Sequence, residues 1–560
     1  MPSPILRSED VRRLAVLAAA WAGVFLIADP RGQFPLNDDF QYAECARRLL
    51  AGEGLHLPEW ALSWASPHAF LGALMTAPWG ASNQALRIWM LVLGFIGATG
   101  VYALACRWKA GPDSALLAGL VVAVSPLYAV LSASFHLDVT AAVFTLAAMG
   151  AFLLGRENDS VRWFAVSSLL IAVSGLTRQT GFLCAAGGIA ALALDRTLTP
   201  RTAAAFLCPA ILLGSGFWMW VRFGHGPTWA WESGHFSPDA SWTHWLEPRM
   251  WMGIFQRVGE SVQLGALFLF PLAILRKGDA FKRRPSRPEA AALVFISGFA
   301  LIGWSSAHGL PLIQNTLNHS GLGVVTLTGS DDKPGGWWES PLLWHAAAFL
   351  ALISSLVLVR AFAEVLRSPK GREIRAAALF VGMPYAAMLA MPVIYDRYLL
   401  VVLPFAAAAF AAGRAEKARQ SRLAFAAATV LALFTTAGLT DYFAWNRARW
   451  AAGQEAVDHG VPPGKVENGF DWDGQFTLTR NLALLRARSP AAEIGMWDWQ
   501  ALNRVVAGTS FSSTPPNAGW VLIGRFPYST PLTRDGGEVR LFADPALLGG
   551  LVLPVEPVRR

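Results

Sequence analysis

The chain has 560 residues, 54% of them hydrophobic and only 15% charged, with a mean hydropathy of +0.39. Soluble domains carry nearer a quarter charged residues, so these values exclude an ordinary soluble protein and point to repeated burial in a bilayer. A formal net charge of +8 does not indicate a nucleic-acid partner, because no basic helix or aromatic–basic motif accompanies it.

Apolar segments fall near 13–28, 88–106, 114–134, 138–154, 162–176, 181–194, 202–221, 258–275, 290–307, 341–359, 376–394, 398–413 and 423–441. A spanning helix needs roughly 17–25 such residues. The pattern therefore predicts an all-α polytopic membrane domain of about thirteen transmembrane helices over 1–441, with long exterior loops at 29–87, 222–257 and 308–340. The first segment follows a basic start (Arg7, Arg12, Arg13), as a signal peptide would, but Ile27-Ala28-Asp29-Pro30 lacks a small-x-small cleavage pattern, so an uncleaved anchor is expected. Residues 442–560 are mixed and polar and predict a small exterior α/β domain. In it, 441–450 continues the last helix, 519–524 and 538–542 read as strands, and 468–474 is rich in turn residues.

Charge sorts the links. The segments 1–13, 107–113, 156–162, 195–201, 276–288, 360–375 and 414–422 hold 24 lysines and arginines in 72 residues. The alternate links hold 10 in roughly twice that length. Basic residues in short loops stay in the cytoplasm, which predicts a cytoplasmic N-terminus and an exterior, periplasmic C-terminal domain in a cell inner membrane. Histidine follows the same division: His56, His68, His136, His225, His235, His244, His308, His319 and His459 fall in exterior segments, and His345 at an exterior edge. Trp218, Trp220, Trp229, Trp231, Trp242, Trp245 and Trp251 crowd one exterior stretch, as an interfacial belt or as plates for stacking a sugar. The four cysteines (Cys45, Cys106, Cys184, Cys208) form no Cys-x-x-Cys pair, so neither a disulfide frame nor a thiolate zinc site is indicated.

Just after the first apolar segment stands Pro35-Leu36-Asn37-Asp38-Asp39-Phe40-Gln41-Tyr42-Ala43-Glu44, followed by an amphipathic helix to Leu50. One acid suffices to cap a helix N-terminus, a role worth about 1 kcal/mol. Two adjacent acids exceed that need, and a carboxylate at this depth could act as a base on a lipid-borne substrate. The outer-loop pattern of Asp38, Asp39, Tyr42, Ala43 and Glu44, with Arg47-Arg48-Leu49-Leu50 behind it, resembles the GT-C-type polytopic glycosyltransferases that use polyprenyl-phosphate sugars. Protein O-mannosyltransferases and lipid A aminoarabinose transferases belong there. Looser matches are Phe135-His136-Leu137-Asp138, Thr177-Arg178-Gln179 and Tyr395-Asp396-Arg397-Tyr398-Leu399-Leu400. The Lys-Pro-Pro expected near the end of the first loop is represented only by Ser66-Pro67-His68, with Glu59 the nearest preceding acid.

The resemblance implies an inverting transfer in which an acceptor hydroxyl attacks the anomeric carbon of a lipid-phosphate sugar. The acceptor would be a lipid, polysaccharide or protein of the cell envelope. Asp38, with Asp39 beside it, is the catalytic candidate. The leaving phosphate needs positive charge, for which Arg178, Arg222 and Arg397 are available at exterior span edges; Arg257 is a fourth. Tyr42, His68, Asp138 and Gln179 complete the expected substrate-binding set, and His136 is the one candidate ligand if a divalent metal ion takes part. A secondary transporter and a non-catalytic membrane anchor are the alternatives. The span interiors disfavour transport, because they are nearly free of ionisable residues.

Overall fold

The computed structural model describes residues 8–234, 247–280, 283–306, 309–391, 394–413 and 418–548. His235, Trp242, His244, Trp245 and His308 lie outside the described residues.

The chain opens with α1 (Ser8–Ala28), then two short helices in the first loop, α2 (Asp39–Leu50) and α3 (Ser66–Thr76). There follow α4 (Asn83–Arg107), α5 (Pro112–Ala123), α6 (Pro126–Ser132), α7 (Leu137–Asn158), α8 (Val161–Thr177) and α9 (Leu183–Leu194). Next come α10 (Pro200–Trp220), α11 (Trp229–Glu232), α12 (Pro248–Phe268), α13 (Phe270–Ala280) and α14 (Arg287–Trp304). The set closes with α15 (Pro341–Arg367), α16 (Gly371–Leu389), α17 (Leu403–Ala411), α18 (Ala418–Asp458) and α19 (Phe470–Arg486). Starts are written locally: Pro200 and Pro288 stand in first turns, where a missing N–H costs nothing, behind capping boxes at Thr199 and Ser286.

Among the described residues, six helices are each long and apolar enough to cross a membrane: α1, α4, α7, α10 with the turn after it, α15 and most of α18. Two bent pairs bring this to as many as eight if each pair counts as one span, and the chain is a multi-pass membrane protein. The other apolar segments are shorter or broken for identifiable reasons. Segment 114–134 is interrupted by Ser125-Pro126, so α5 and α6 meet at 61°. Segment 258–275 bends by 81° between α12 and α13, beside Pro271. Segment 398–413 is a 3-10 turn (Asp396–Val401) and then the nine-residue α17, with Pro404 in its first turn.

Packing is close where side chains are small. At Gly187 on α9, a Cβ would sit 2.2 Å from the carbonyl oxygen of Leu379, so glycine is what allows α9 to lie directly on α16. Gly188 likewise admits the Phe206 ring of α10.

Helix α18 runs without a break from the membrane region into the polar part of the chain. Beyond it lies a four-stranded sheet in the order β3-β4-β6-β5, with β1 (Leu317–Asn318) and β2 (Gly321–Leu322) forming a separate hairpin in the 309–340 loop. The strands are β3 (Val466–Glu467), β4 (Ala507–Ser510), β5 (Val521–Tyr528) and β6 (Gly537–Ala543). β3 pairs parallel with β4, and the other pairings are antiparallel. The strands expected near 519–524 and 538–542 form, whereas the stretch 468–474, expected to turn, begins α19. Gly469 at φ +88° makes the sharp entry into that helix, and the turn-forming Asp471 and Asp473 occupy its first turn, where carboxylates favour the helix dipole.

Buried ion pairs tie the loops, α18 and the sheet region together. Arg449 of α18 makes a two-pronged pair with Asp471, 2.6 Å at each prong. Asp441, also on α18, accepts from Lys333 at 2.7 Å and from the Thr530 hydroxyl at 2.7 Å. Phe40 of α2 packs edge-on against Phe470 of α19. The loop between α1 and α4, the 309–340 loop and the C-terminal region thus meet over one end of the helices.

Candidate active site

The approach to Asp38 is held by a residue that the sequence patterns did not single out. Arg87, buried in the first turns of α4, donates to the carbonyls of Pro30 at 2.7 Å, Gly32 at 3.0 Å and Phe34 at 2.7 Å. Its guanidinium lies over the Phe34 ring. With Pro30 to Phe34 fixed, Asn37 takes φ +56° and turns the chain into α2.

The two acids then separate in role. Asp39 is fully engaged in structure: Oδ1 accepts from the Leu36 N–H at 2.6 Å and Oδ2 from the Phe135 N–H at 3.0 Å. Burial pushes its carboxyl up to about 7, against the pull of those N–H donors and of the Arg87 charge. Asp38 stands at the N-cap position of α2, yet its side chain makes no capping bond. Its Oδ2 instead lies 3.2 Å from Arg397 Nη1 and 3.6 Å from His136 Nε2. Burial opposes its charge, but the pairing with the Arg397 guanidinium outweighs that effect and holds it at about 2. Asp38 is therefore ionised at neutral pH.

This difference yields a test. Asp39→Asn is expected to cost about 1–3 kcal/mol of stability, because an amide NH2 cannot accept the second backbone N–H. The chemistry per folded molecule should change far less than in a variant at Asp38. A thermal melt alongside specific activity separates the two effects.

Behind Asp38 stands a chain of charge and rings. Arg397 Nη1 donates to His136 Nε2 at 2.7 Å, and His136 Nδ1 lies 2.6 Å from Asp138. Burial, first, and the neighbouring Arg397 push His136 down to about 4, so the ring is neutral and its Nε2 is free to accept. Asp138 is also paired with Arg178. Arg178 lies over the Tyr398 ring, 4.1 Å from its centroid, and Arg397 over Tyr395 at 4.7 Å. Tyr42 fills the wall between the two histidines, edge-on to His136 at 5.6 Å and to His68 at 5.9 Å. His68 is wholly buried in α3: it bonds Thr140 Oγ1 at 2.8 Å, faces the Phe135 carbonyl at 3.3 Å and stacks on the Phe135 ring. Burial drives its ring down to about 3, which leaves it neutral.

Of the sequence-derived set, Asp38, Asp39, Tyr42, His68, His136, Asp138, Arg178 and Arg397 converge. Gln179 borders the cluster but spends its amide on the Leu62 carbonyl at 2.6 Å. Arg222 does not join them; it is exposed beside the Phe223 ring on the turn after α10. Arg257 caps the end of α16 through the carbonyls of Leu389 and Met391. Glu59 holds the Trp229 N–H at 2.7 Å and Arg486 at 3.0 Å, a structural seam. Glu44 pairs with Arg47 and Arg48 on a half-exposed face of α2.

The residues do not fit a divalent metal. His136 has a guanidinium on one nitrogen and a carboxylate against the other, and no group of three His, Cys, Asp or Glu side chains able to hold an ion occurs among the described residues.

The sequence motif around 395–400 contained one more working residue. Asp396 accepts from the N–H groups of Thr316 at 2.9 Å and Leu317 at 2.7 Å, pinning the β1–β2 hairpin beside Arg397. Burial raises its carboxyl to about 6. A cavity of about 20 Å³, room for roughly one water, remains between Asn37, Ser134, His136, Thr316 and Arg397.

Residues 67–220, which include most of α3 and run through α10, match the family model described as dolichyl-phosphate-mannose-protein mannosyltransferase. By this family domain, the chain is a glycosyltransferase. The match takes in His68, His136, Asp138, Arg178 and Gln179, while Asp38 and Arg397 fall outside it. Among curated proteins, none matches the chain. Among solved structures, the glycosyltransferase is similar to ArnT from Cupriavidus metallidurans bound to undecaprenyl phosphate, with 16% identity, TM-score 0.41, and coverage of 95% of this chain and 97% of that one. It is also similar to the oligosaccharyltransferase of Archaeoglobus fulgidus tethered with an acceptor peptide, with 14% identity, TM-score 0.33, and coverage of 89% and 69%. The arabinosyltransferase EmbB from Mycobacterium smegmatis is a third, with 14% identity, TM-score 0.34, and coverage of 76% and 40%.

Proposed function

We propose that this glycosyltransferase moves a sugar from a polyprenyl-phosphate donor to a hydroxyl of an envelope acceptor, with Asp38 as the base. The observation that carries this reading is the pairing of an ionised, uncapped Asp38 with Arg397 at 3.2 Å, at the level where several spans end. An acceptor hydroxyl placed against Asp38 loses its proton as it attacks the anomeric carbon, and the phosphate leaves from the opposite face of the sugar. The configuration at that carbon inverts. Arg397 and Arg178 supply the positive charge that the departing phosphate needs, and guanidinium forks suit phosphate oxygens.

A carboxylate held at about 2 is a weak base by itself. Donor binding corrects this. A phosphate seated on Arg397 takes up the charge that depresses Asp38 and lifts it toward the ordinary carboxylate range, so the base gains strength when there is a donor to react with. The division of basic residues supports placing this end of the molecule, and the C-terminal domain with it, outside the cytoplasm.

In cells, mass spectrometry of envelope glycolipids and glycans is the test. A species one sugar lighter is expected when the gene is removed, and the same species with Asp38→Asn at unchanged membrane abundance. An identical profile in all three strains would rule the reading out.

A further inference from the structure

At the end of the helix bundle opposite Asp38, α9 and α15 finish and α16 begins, and a cleft of about 350 Å³ opens among them. Its walls are apolar: Leu194, Phe362, Leu366 and Leu379 contribute, and Leu194 is 74% exposed. Its rim is cationic. Arg375 spends one nitrogen on the Leu366 carbonyl at 3.1 Å, which fixes its guanidinium at the cleft. Arg372 holds Asp195 through its side chain and its carbonyl, each at 3.0 Å.

The charge count separates this place from its surroundings. Asp195 is already paired with Arg156, whose buried Nη1 has no hydrogen-bond partner among the described residues. At the cleft itself two arginines (Arg372, Arg375) thus stand against one carboxylate, which is already shared with Arg156. Nearby, Arg107 and Lys370 are balanced by Glu157 and Glu373. The excess positive charge sits where the apolar wall meets the helix ends.

We propose that this cleft is a binding site for an anionic phospholipid of the leaflet opposite the active site. A soluble anion would satisfy the arginines but leave the apolar wall exposed. An acyl chain alone would satisfy the wall but not the guanidinium groups. A lipid with a net negative headgroup meets both needs, with its chain along Leu194, Phe362 and Leu379 and its phosphate on Arg372 and Arg375. The basic-residue division makes this the cytoplasmic face, where anionic headgroups meet juxtamembrane arginines. The proposal is independent of the catalytic reading.

The full chain, purified in mild detergent, would be titrated with phosphatidylglycerol and with phosphatidylethanolamine, and the retained lipid counted by native mass spectrometry. Preferential retention of phosphatidylglycerol is expected for the unaltered protein. The double variant Arg372→Ala with Arg375→Ala should retain it about thirtyfold more weakly, at roughly 1 kcal/mol for each of the two basic residues near such a headgroup. Phosphatidylethanolamine retention should not change. Arg162→Ala with Arg201→Ala, which removes two exposed arginines of the same face away from the cleft, should behave as the unaltered protein. Arg372→Lys with Arg375→Lys should restore most of the preference and shows that the fold is kept. Equal retention by the cleft variant, an equal loss in the control variant, or an equal loss of both lipids would overturn the proposal.

Discussion

Replacing Asp38 by Asn is expected to slow sugar transfer by about a thousandfold, within the range that a positioned general base contributes. The asparagine keeps the shape and can still accept from Arg397 through its Oδ1, so abundance in the membrane should be little changed. It cannot take the acceptor's proton. The loss should appear in kcat rather than KM, because the side chain acts on the hydroxyl only as attack proceeds. Asp38→Glu moves the carboxylate by one methylene out of the position set by its contacts with Arg397 and His136, and should recover only a minor part of the rate. Normal kcat in the asparagine variant would remove Asp38 from the chemistry altogether.

The second large effect lies at Arg397. Its side chain touches Asp38, His136 and Asp138 and lies over Tyr395, so one substitution disturbs charge, hydrogen bonding and donor contact together. Arg397→Gln is expected to lower kcat/KM by about 10²–10³, as removal of one donor from a charge-stabilising site does. The pH dependence should shift as well, with a definite sign. Activity needs Asp38 ionised. In the unaltered protein its carboxyl is held at about 2, so kcat/KM stays level down to strongly acidic pH. Without the guanidinium, burial acts with less opposition and the carboxyl rises; activity then falls as pH drops through that higher value. Arg397→Lys keeps the charge without the fork and should hold the acidic limb near its original place while leaving phosphate affinity reduced. An unmoved acidic limb in Arg397→Gln would show that Arg397 does not control the base.

Much of this was legible in the sequence because membrane proteins write their layout in hydropathy and charge. The apolar segments, the division of basic residues and the acid pair behind the first span are local patterns. His136, Asp138, Arg178 and Arg397 could be singled out because ionisable groups at span edges are rare. Their mutual contacts could not be read, since they join residues up to 261 positions apart. Arg87 was missed for a related reason: its work is to hold three backbone carbonyls, and a lone arginine at the start of a span gives no sign of that. Asp396 stood inside a quoted motif, yet its partners are backbone N–H groups of a hairpin about 80 residues earlier, which no sequence pattern marks. The helix at α19 was hidden by Asn468-Gly469 and by acids that favour turns but equally suit a helix's first turn. Arg222 is the reverse case, an arginine at a span edge whose guanidinium lies over the Phe223 ring and not against the acids of the cluster.

The most direct test of the central claim is a reaction of the purified protein with a polyprenyl-phosphate sugar of defined anomeric configuration and a membrane extract as acceptor source. The stereochemistry and stoichiometry of the product decide it. One polyprenyl phosphate released for each new glycosidic bond, with the anomeric configuration inverted and with the rate about a thousandfold lower in Asp38→Asn, is the expected result. Retention of configuration, or donor turnover that continues undiminished without Asp38, would contradict it.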